Sequence, residues 1–175
     1  SSELVFSAAF NEAEGSKATV QVGGVDREIE LATSATKKPG PNGGTHAIEL
    51  QGGAAEFSDV GDFEATEPFS VSVWLKVPAN DGHGAVCARM DNEKGFQGWD
   101  VLVQQRRVAM HLVNSWPDKG LKVVAKPQLK ADTWVHVTVT YDGSGKAAGL
   151  KIYYDGKPQG TNVEVDKLSD SIKTL

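Results

Sequence analysis

Apolar and polar residues alternate with a period of two along most of the chain, the pattern of strands with one face buried. In "FSVSVWLKV", Phe69, Val71, Val73, Leu75 and Val77 share one side, while Ser70, Ser72, Trp74 and Lys76 share the other. In "WVHVTVTY", Val135, Val137, Val139 and Tyr141 oppose Trp134, His136, Thr138 and Thr140. The runs "WDVLVQQ", "RVAMHLV" and "GLKIYYD" repeat the pattern, and "ATVQV", "REIEL" and "HAIEL" predict strands nearer the N-terminus. Turn signals separate them: "GPNGG", "NDGHG", "PDKG", "DGSG" and "DGKP". No segment has a clear amphipathic helical period; "DVGDFEA" and "VDKLSDSI" are the nearest approaches to a helical turn. "TSATKKPGPNGGT" reads as an exposed loop. The pattern predicts an all-β jelly-roll β-sandwich of two antiparallel sheets, with residues 1–175 forming a single domain.

Two aspartates head the turns in "YDGSGKAAGLKIYYDGKPQG", Asp142 and Asp155. Asp-Gly between alternating strands is a hairpin signal, because glycine tolerates positive φ and aspartate caps the turn locally. Both are read as corners rather than ligands.

Composition narrows the function. The 175 residues carry a formal charge of −5, and the basic cluster Arg106-Arg107 sits at a strand edge. A nucleic-acid surface needs clustered cations, so none is expected. No apolar run reaches membrane-spanning length, so no membrane insertion is expected. Cys87 is alone, which excludes an internal disulfide and any cysteine-built metal centre, and it reads as a buried thiol.

The segments "FSVSVWLKV" and "WVHVTVTYDGSGKAAGLKIYYDGK" resemble the laminin-G-like domain of the concanavalin A-like lectin/glucanase superfamily. A Trp-led strand ending in Tyr-Asp-Gly, then a strand ending in Tyr-x-Asp-Gly, is matched by Trp134, Tyr141, Asp142, Gly143, Tyr153, Asp155 and Gly156. The match runs from about Phe69 to Gly160, and the middle segment is similar to versions embedded in large secreted bacterial proteins. The resemblance implies an extracellular or periplasmic location and a non-catalytic binding module. Carbohydrate is the first ligand, and a structural or protein-interaction role is the alternative. It also implies a Gly-Arg-containing strand and a closing strand beyond "LSDSIKTL". The expectation is therefore a shortened domain boundary, or an open sheet edge that pairs with another chain.

Laminarinase-type glucanases of this superfamily carry Glu-x-Asp-x-Glu, or Glu-x-Asp-x-x-Glu, along one strand. "EVDKLS" supplies Glu164 and Asp166 but places Ser169 where the second glutamate belongs. A retaining glycosidase needs two carboxyl groups about 5 Å apart, so no activity is expected. A sugar site joins an aromatic platform to amides and carboxylates. Trp99 and Trp116, beside Asp100, Asn114 and Asp118, form the expected carbohydrate-binding rim. Trp74 and Trp134 take structural roles, as the resemblance implies. His111 and His136 would share a sheet side if their strands were neighbours. Calcium is the candidate cofactor, because some laminin-G-like domains hold it at a sandwich rim. The donors would be Asp81, Asp91 and Asn92, with Asp59 and Asp62 further possibilities.

Overall fold

A computed structural model describes residues 3–57, 60–80 and 82–175. The chain divides into two compact units, residues 1–61 and 62–175.

In the first unit, β1 (Phe6–Ala8), β2 (Lys17–Val22) and β3 (Val25–Glu30) form an antiparallel sheet in the order β1-β2-β3. Alternation sets its faces: Ala18 and Val20 of β2 are buried while Lys17, Thr19 and Gln21 are exposed. β4 (Thr36–Pro39) pairs with β5 (His46–Glu49). This corrects the expected loop. Residues 33–35 and 40–45 remain turn, and Thr36–Pro39 becomes a strand because its side chains gain partners. Lys37 has a side chain only 9% exposed and meets Glu12 at 3.4 Å, while Lys38 meets Glu49.

The second unit is an antiparallel β-sandwich. Its strands are β6 (Phe69–Lys76), β7 (Gly84–Asp91), β8 (Gln97–Gln104), β9 (Arg107–Ser115), β10 (Lys119–Ala125), β11 (Trp134–Tyr141), β12 (Leu150–Tyr154), β13 (Lys157–Pro158) and β14 (Thr161–Asp166). One sheet runs β14-β10-β9-β8-β7 and the other β13-β12-β11-β6. The all-β class and the antiparallel sandwich are as the alternation predicts.

Between the sheets lie Val101, Val108, Met110, Leu112, Leu121, Val123, Val137, Val139 and Ile152, each at most 1% exposed. Burying each such aliphatic side chain contributes about 1.5–3 kcal/mol, so the sandwich is held mainly by these inward positions. A second layer of support is aromatic. Phe63 stacks on Phe69 at 4.3 Å, and Trp99 leans on both at 5.9 and 5.2 Å. Cys87 packs against this core, and burial, reinforced by the nearby Asp100 carboxylate, pushes its thiol up to about 12. Only the thiolate reacts with Ellman's reagent. The folded protein should therefore label at least about a hundredfold more slowly at pH 8 than the urea-unfolded chain. Equal rates would show that Cys87 is accessible.

The two Asp-Gly turns are corners. Asp142 Oδ1 accepts the Ser144 N–H at 2.9 Å, and Asp155 Oδ1 accepts the His136 N–H at 2.9 Å. Asp142 is occupied by its own turn, and Asp155 by the backbone of the neighbouring strand.

Candidate functional site

The outward face of the four-stranded sheet carries an exposed aromatic patch. Register places Trp74 opposite His136, Ser72 opposite Thr138, Thr138 in turn opposite Tyr153, and Lys76 opposite Trp134. Alternation drives these residues outward, because Val71, Val73, Leu75, Val135, Val137 and Val139 hold the inward positions. Trp74 is 45% exposed, unusually open for so large an apolar side chain. Its ring lies 5.1 Å from the His136 imidazole, tilted by 50°. His136 Nε2 sits 2.8 Å from the Ser72 hydroxyl, which lies 3.4 Å from the Thr138 hydroxyl. Asp155 steadies this histidine by bonding its backbone N–H. Strands about 4.8 Å apart with same-face residues about 6.8 Å apart spread Trp134, Trp74 and Tyr153 over roughly 14 Å of sheet. An apolar ring face beside fixed hydroxyl and imidazole groups suits a ligand with one apolar and one polar side.

The residues expected at a loop rim do not gather there. Trp99 lies within β8, is 8% exposed and belongs to the core, because position 99 shares the inward face with Val101 and Val103. Asp100 faces the other way and holds His111 Nδ1 at 2.8 Å, both side chains being about one-sixth exposed. Trp116 meets His111 edge to face at 4.9 Å. Gly120 makes room for it, since a Cβ there would stand 2.9 Å from the indole Cε3. Asn114 points to the sandwich end, where its amide donates to Ser171 O at 2.7 Å. Asp118 is exposed in the β9–β10 turn. Of the five, only Asp100 and Trp116 are brought together, and they meet through His111. The two histidines are also separated: His111 is in the five-stranded sheet and His136 in the four-stranded one.

Trp74 and Trp134, expected to be structural, stand on the open polar face instead. The signal for Trp74 was already in the sequence. A tryptophan among Ser70, Ser72 and Lys76 occupies a solvent register, and the alternation alone assigns it there.

The calcium donors are dispersed or occupied. Asp81 and Asp59 lie outside the described residues. Asp91 Oδ1 accepts the N–H groups of Glu93 and Lys94, capping the short 3-10 turn that Asn92 begins. Among the described residues no three His, Cys, Asp or Glu side chains converge on a metal position. The Glu164 and Asp166 pair is also split. A register shift between Lys122 and Val123 interrupts the alternation of β14. Glu164 then reaches Lys122 at 2.7 Å, while Asp166 accepts the Ala147 N–H at 2.9 Å.

At the sandwich end, a cleft of ≈ 350 Å³ is lined by residues including Glu64, Thr66, Ser144 and Asp170. Residues 168–174 strap this end through two carboxylates. Asp62 Oδ1 accepts both the N–H and hydroxyl of Thr174, at 2.7 and 2.9 Å, and Glu64 Oε2 accepts the Ser171 hydroxyl at 2.8 Å. Burial pushes Asp62 up, but the Thr174 bonds and the Arg89 guanidinium outweigh it and leave the carboxyl below its usual range. Glu64 is lowered first by the Ala65 N–H, against burial, with help from Ser171. Carboxylates lowered by folding stabilise the fold above their unfolded values, about 3.9 and 4.3. That contribution is lost as pH falls through the lower folded values. The melting temperature should therefore drop as pH falls below about 4. An Asp62→Asn/Glu64→Gln variant should start lower at neutral pH and respond less to acid. An unchanged acid slope in that variant would assign the sensitivity elsewhere.

The architecture is that of a concanavalin A-like β-sandwich with a polar, aromatic outer face. The laminin-G family model described as "concanavalin A-like lectin/glucanases superfamily" matches residues 50–174, and the chain belongs to this family. Comparison with curated proteins gave no match, and neither did comparison with solved structures.

Proposed function

We propose that this chain is a non-catalytic carbohydrate-binding module of a secreted or periplasmic protein, with its sugar platform on the outer face of the four-stranded sheet. One observation carries the reading: Trp74 stands 45% exposed beside the linked His136 and Ser72 side chains. A pyranose ring offers an apolar face to stack on the indole and a hydroxyl rim to meet the imidazole and hydroxyls. The split between Glu164 and Asp166 supports a binding role over hydrolysis, since the two carboxylates have separate partners. The test is a panel of polysaccharides and glycans, run with calcium and with EDTA, on wild type, Trp74→Ala and Trp116→Ala. Binding lost in Trp74→Ala and kept in Trp116→Ala supports the sheet-face site. The reverse pattern returns the site to the β9–β10 turn.

A second reading is favoured by the sheet edge. The four-stranded sheet ends on β6, whose only strand partner among the described residues is β11. An unpaired edge accepts an added strand. Silence of the folded protein across the panel would favour this protein-interaction role.

A further inference from the structure

The β8–β9 hairpin closes with a turn whose sequence opposes its geometry. Gln104 pairs with Arg107, leaving Gln105 and Arg106 as a two-residue turn with φ of 50° and 58°. Positive φ at both positions is the I′ turn, which favours Asn-Gly. Two long side chains in the left-handed region are strained, and such strain persists where the surroundings hold it in place. Here they do. The Arg106 N–H donates to Gly82 O at 2.9 Å, and the Leu129 N–H donates to Arg106 O. Gly82 accommodates the arginine stem, because a Cβ there would lie 2.3 Å from Arg106 Cγ. Gln128 grips both turn residues. Its Oε1 accepts from Arg106 Nη2 at 3.1 Å, and its Nε2 donates to Gln105 O at 2.9 Å.

The guanidinium is thus held in place, yet its bonds go only to neutral acceptors: Gln128 Oε1 and Leu129 O. It forms no ion pair among the described residues. It lines a cleft of ≈ 400 Å³ with Ala79, Gly82, His83, Gln105 and Gln128. Arg107 lies beside it in sequence and donates to Lys126 O, and Lys130 is exposed two residues beyond Gln128. Exposed Asp132 follows, its N–H donating to Val77 O.

We infer that this cleft binds an oxyanion, the carboxylate or sulfate of an acidic polysaccharide, on the Arg106 fork, with the Gln105 and Gln128 amides available to neighbouring hydroxyls. A planar guanidinium with no carboxylate partner among the described residues is suited to such a group. The cleft residues flank the end of β6 at Lys76 and precede the start of β11 at Trp134. That is the same end of the sheet as the Lys76–Trp134 pair of the aromatic face. The inference rests on the carbohydrate reading and names the ligand class.

Its test separates the two. Glucuronate, inorganic sulfate and neutral glucose are titrated while the Arg106 Nε–H and the Gln105 and Gln128 side-chain amides are followed by NMR. Saturable shifts with either anion and none with glucose support the site. No shift with the anions, or equal shifts with glucose, overturns it, whatever the panel shows. Polygalacturonate, dextran sulfate and dextran are then compared by affinity electrophoresis in wild type, Arg106→Gln and Gln105→Asn/Arg106→Gly. The double variant supplies the favoured turn sequence, so it should stay folded. Both variants should lose at least tenfold in affinity for whichever acidic polymer binds, while Trp74-dependent binding of neutral glycans persists. Full acidic-polymer affinity in a folded double variant would reduce Arg106 to a turn clamp. If wild type gives anion shifts but binds no polymer, the anion site stands and the polysaccharide assignment fails.

Discussion

Trp99→Ala is expected to destabilise the sandwich by about 3–5 kcal/mol, the usual range for emptying a buried tryptophan position. Trp99 is 8% exposed and touches Phe63 and Phe69 within 6 Å, so truncation opens a cavity where three aromatic rings meet. Backbone hydrogen bonding between β7, β8 and β9 resists collapse into that space. Native domains hold only about 5–15 kcal/mol in total, so the loss is a large share of the stability. For a chain of this length the melting temperature should fall by roughly 6–20 °C. Urea unfolding followed by near-ultraviolet circular dichroism measures it directly. A variant of unchanged midpoint that had lost glycan affinity would restore Trp99 to the role its sequence neighbours suggested.

Trp74→Ala is expected to do the opposite. Its side chain already faces solvent, so stability should move by no more than about 0.5 kcal/mol. Binding should suffer far more. An aromatic anchor at the centre of a contact contributes at least about 2 kcal/mol when it is a hot spot. That corresponds to a loss of roughly thirtyfold or more in affinity. Trp74→Phe should recover part of it by keeping a stacking face, and Ser72→Ala should weaken binding less, since it removes one hydroxyl from the His136 link. Isothermal titration with the tightest glycan from the panel gives all three values. A Trp74→Ala variant with wild-type affinity would remove the sheet face from consideration.

Together the two tryptophans show what alternation resolves. Both lie on strands that the period-two pattern identified, but their faces differ. For β6 the pattern is clean, and it assigns Trp74 to the side of Ser70, Ser72 and Lys76. For β8 the same rule puts Trp99 with Val101 and Val103, inside. Proximity to polar residues in sequence suggested a shared site for Trp99 and Asp100. In a strand, adjacent residues point to opposite faces, so proximity and shared environment are different things.

Several strands were not legible. β10 has Leu121, Val123, Val124 and Ala125 all buried, so it reads as an apolar run rather than an alternation. β7 is broken by a register shift between Ala85 and Cys87, and β14 by the one opposite Lys122 and Val123. Each shift moves later side chains to the other face and erases the period. β4 is hidden for another reason: its lysines gain ion pairs with residues distant in sequence, Glu12 and Glu49, that no local propensity foretells.

By itself the sequence determined the all-β class, the positions of the main turns, the corner role of Asp142 and Asp155, and the family. Period and turn chemistry along the chain encode these. Tertiary structure decided the rest. It placed His111 and His136 in different sheets, sent Glu164 and Asp166 to separate partners, and joined Gln128 to the turn at Arg106. Those pairings cross loops or depend on a single inserted residue, and one residue of register is enough to turn a side chain from one face to the other.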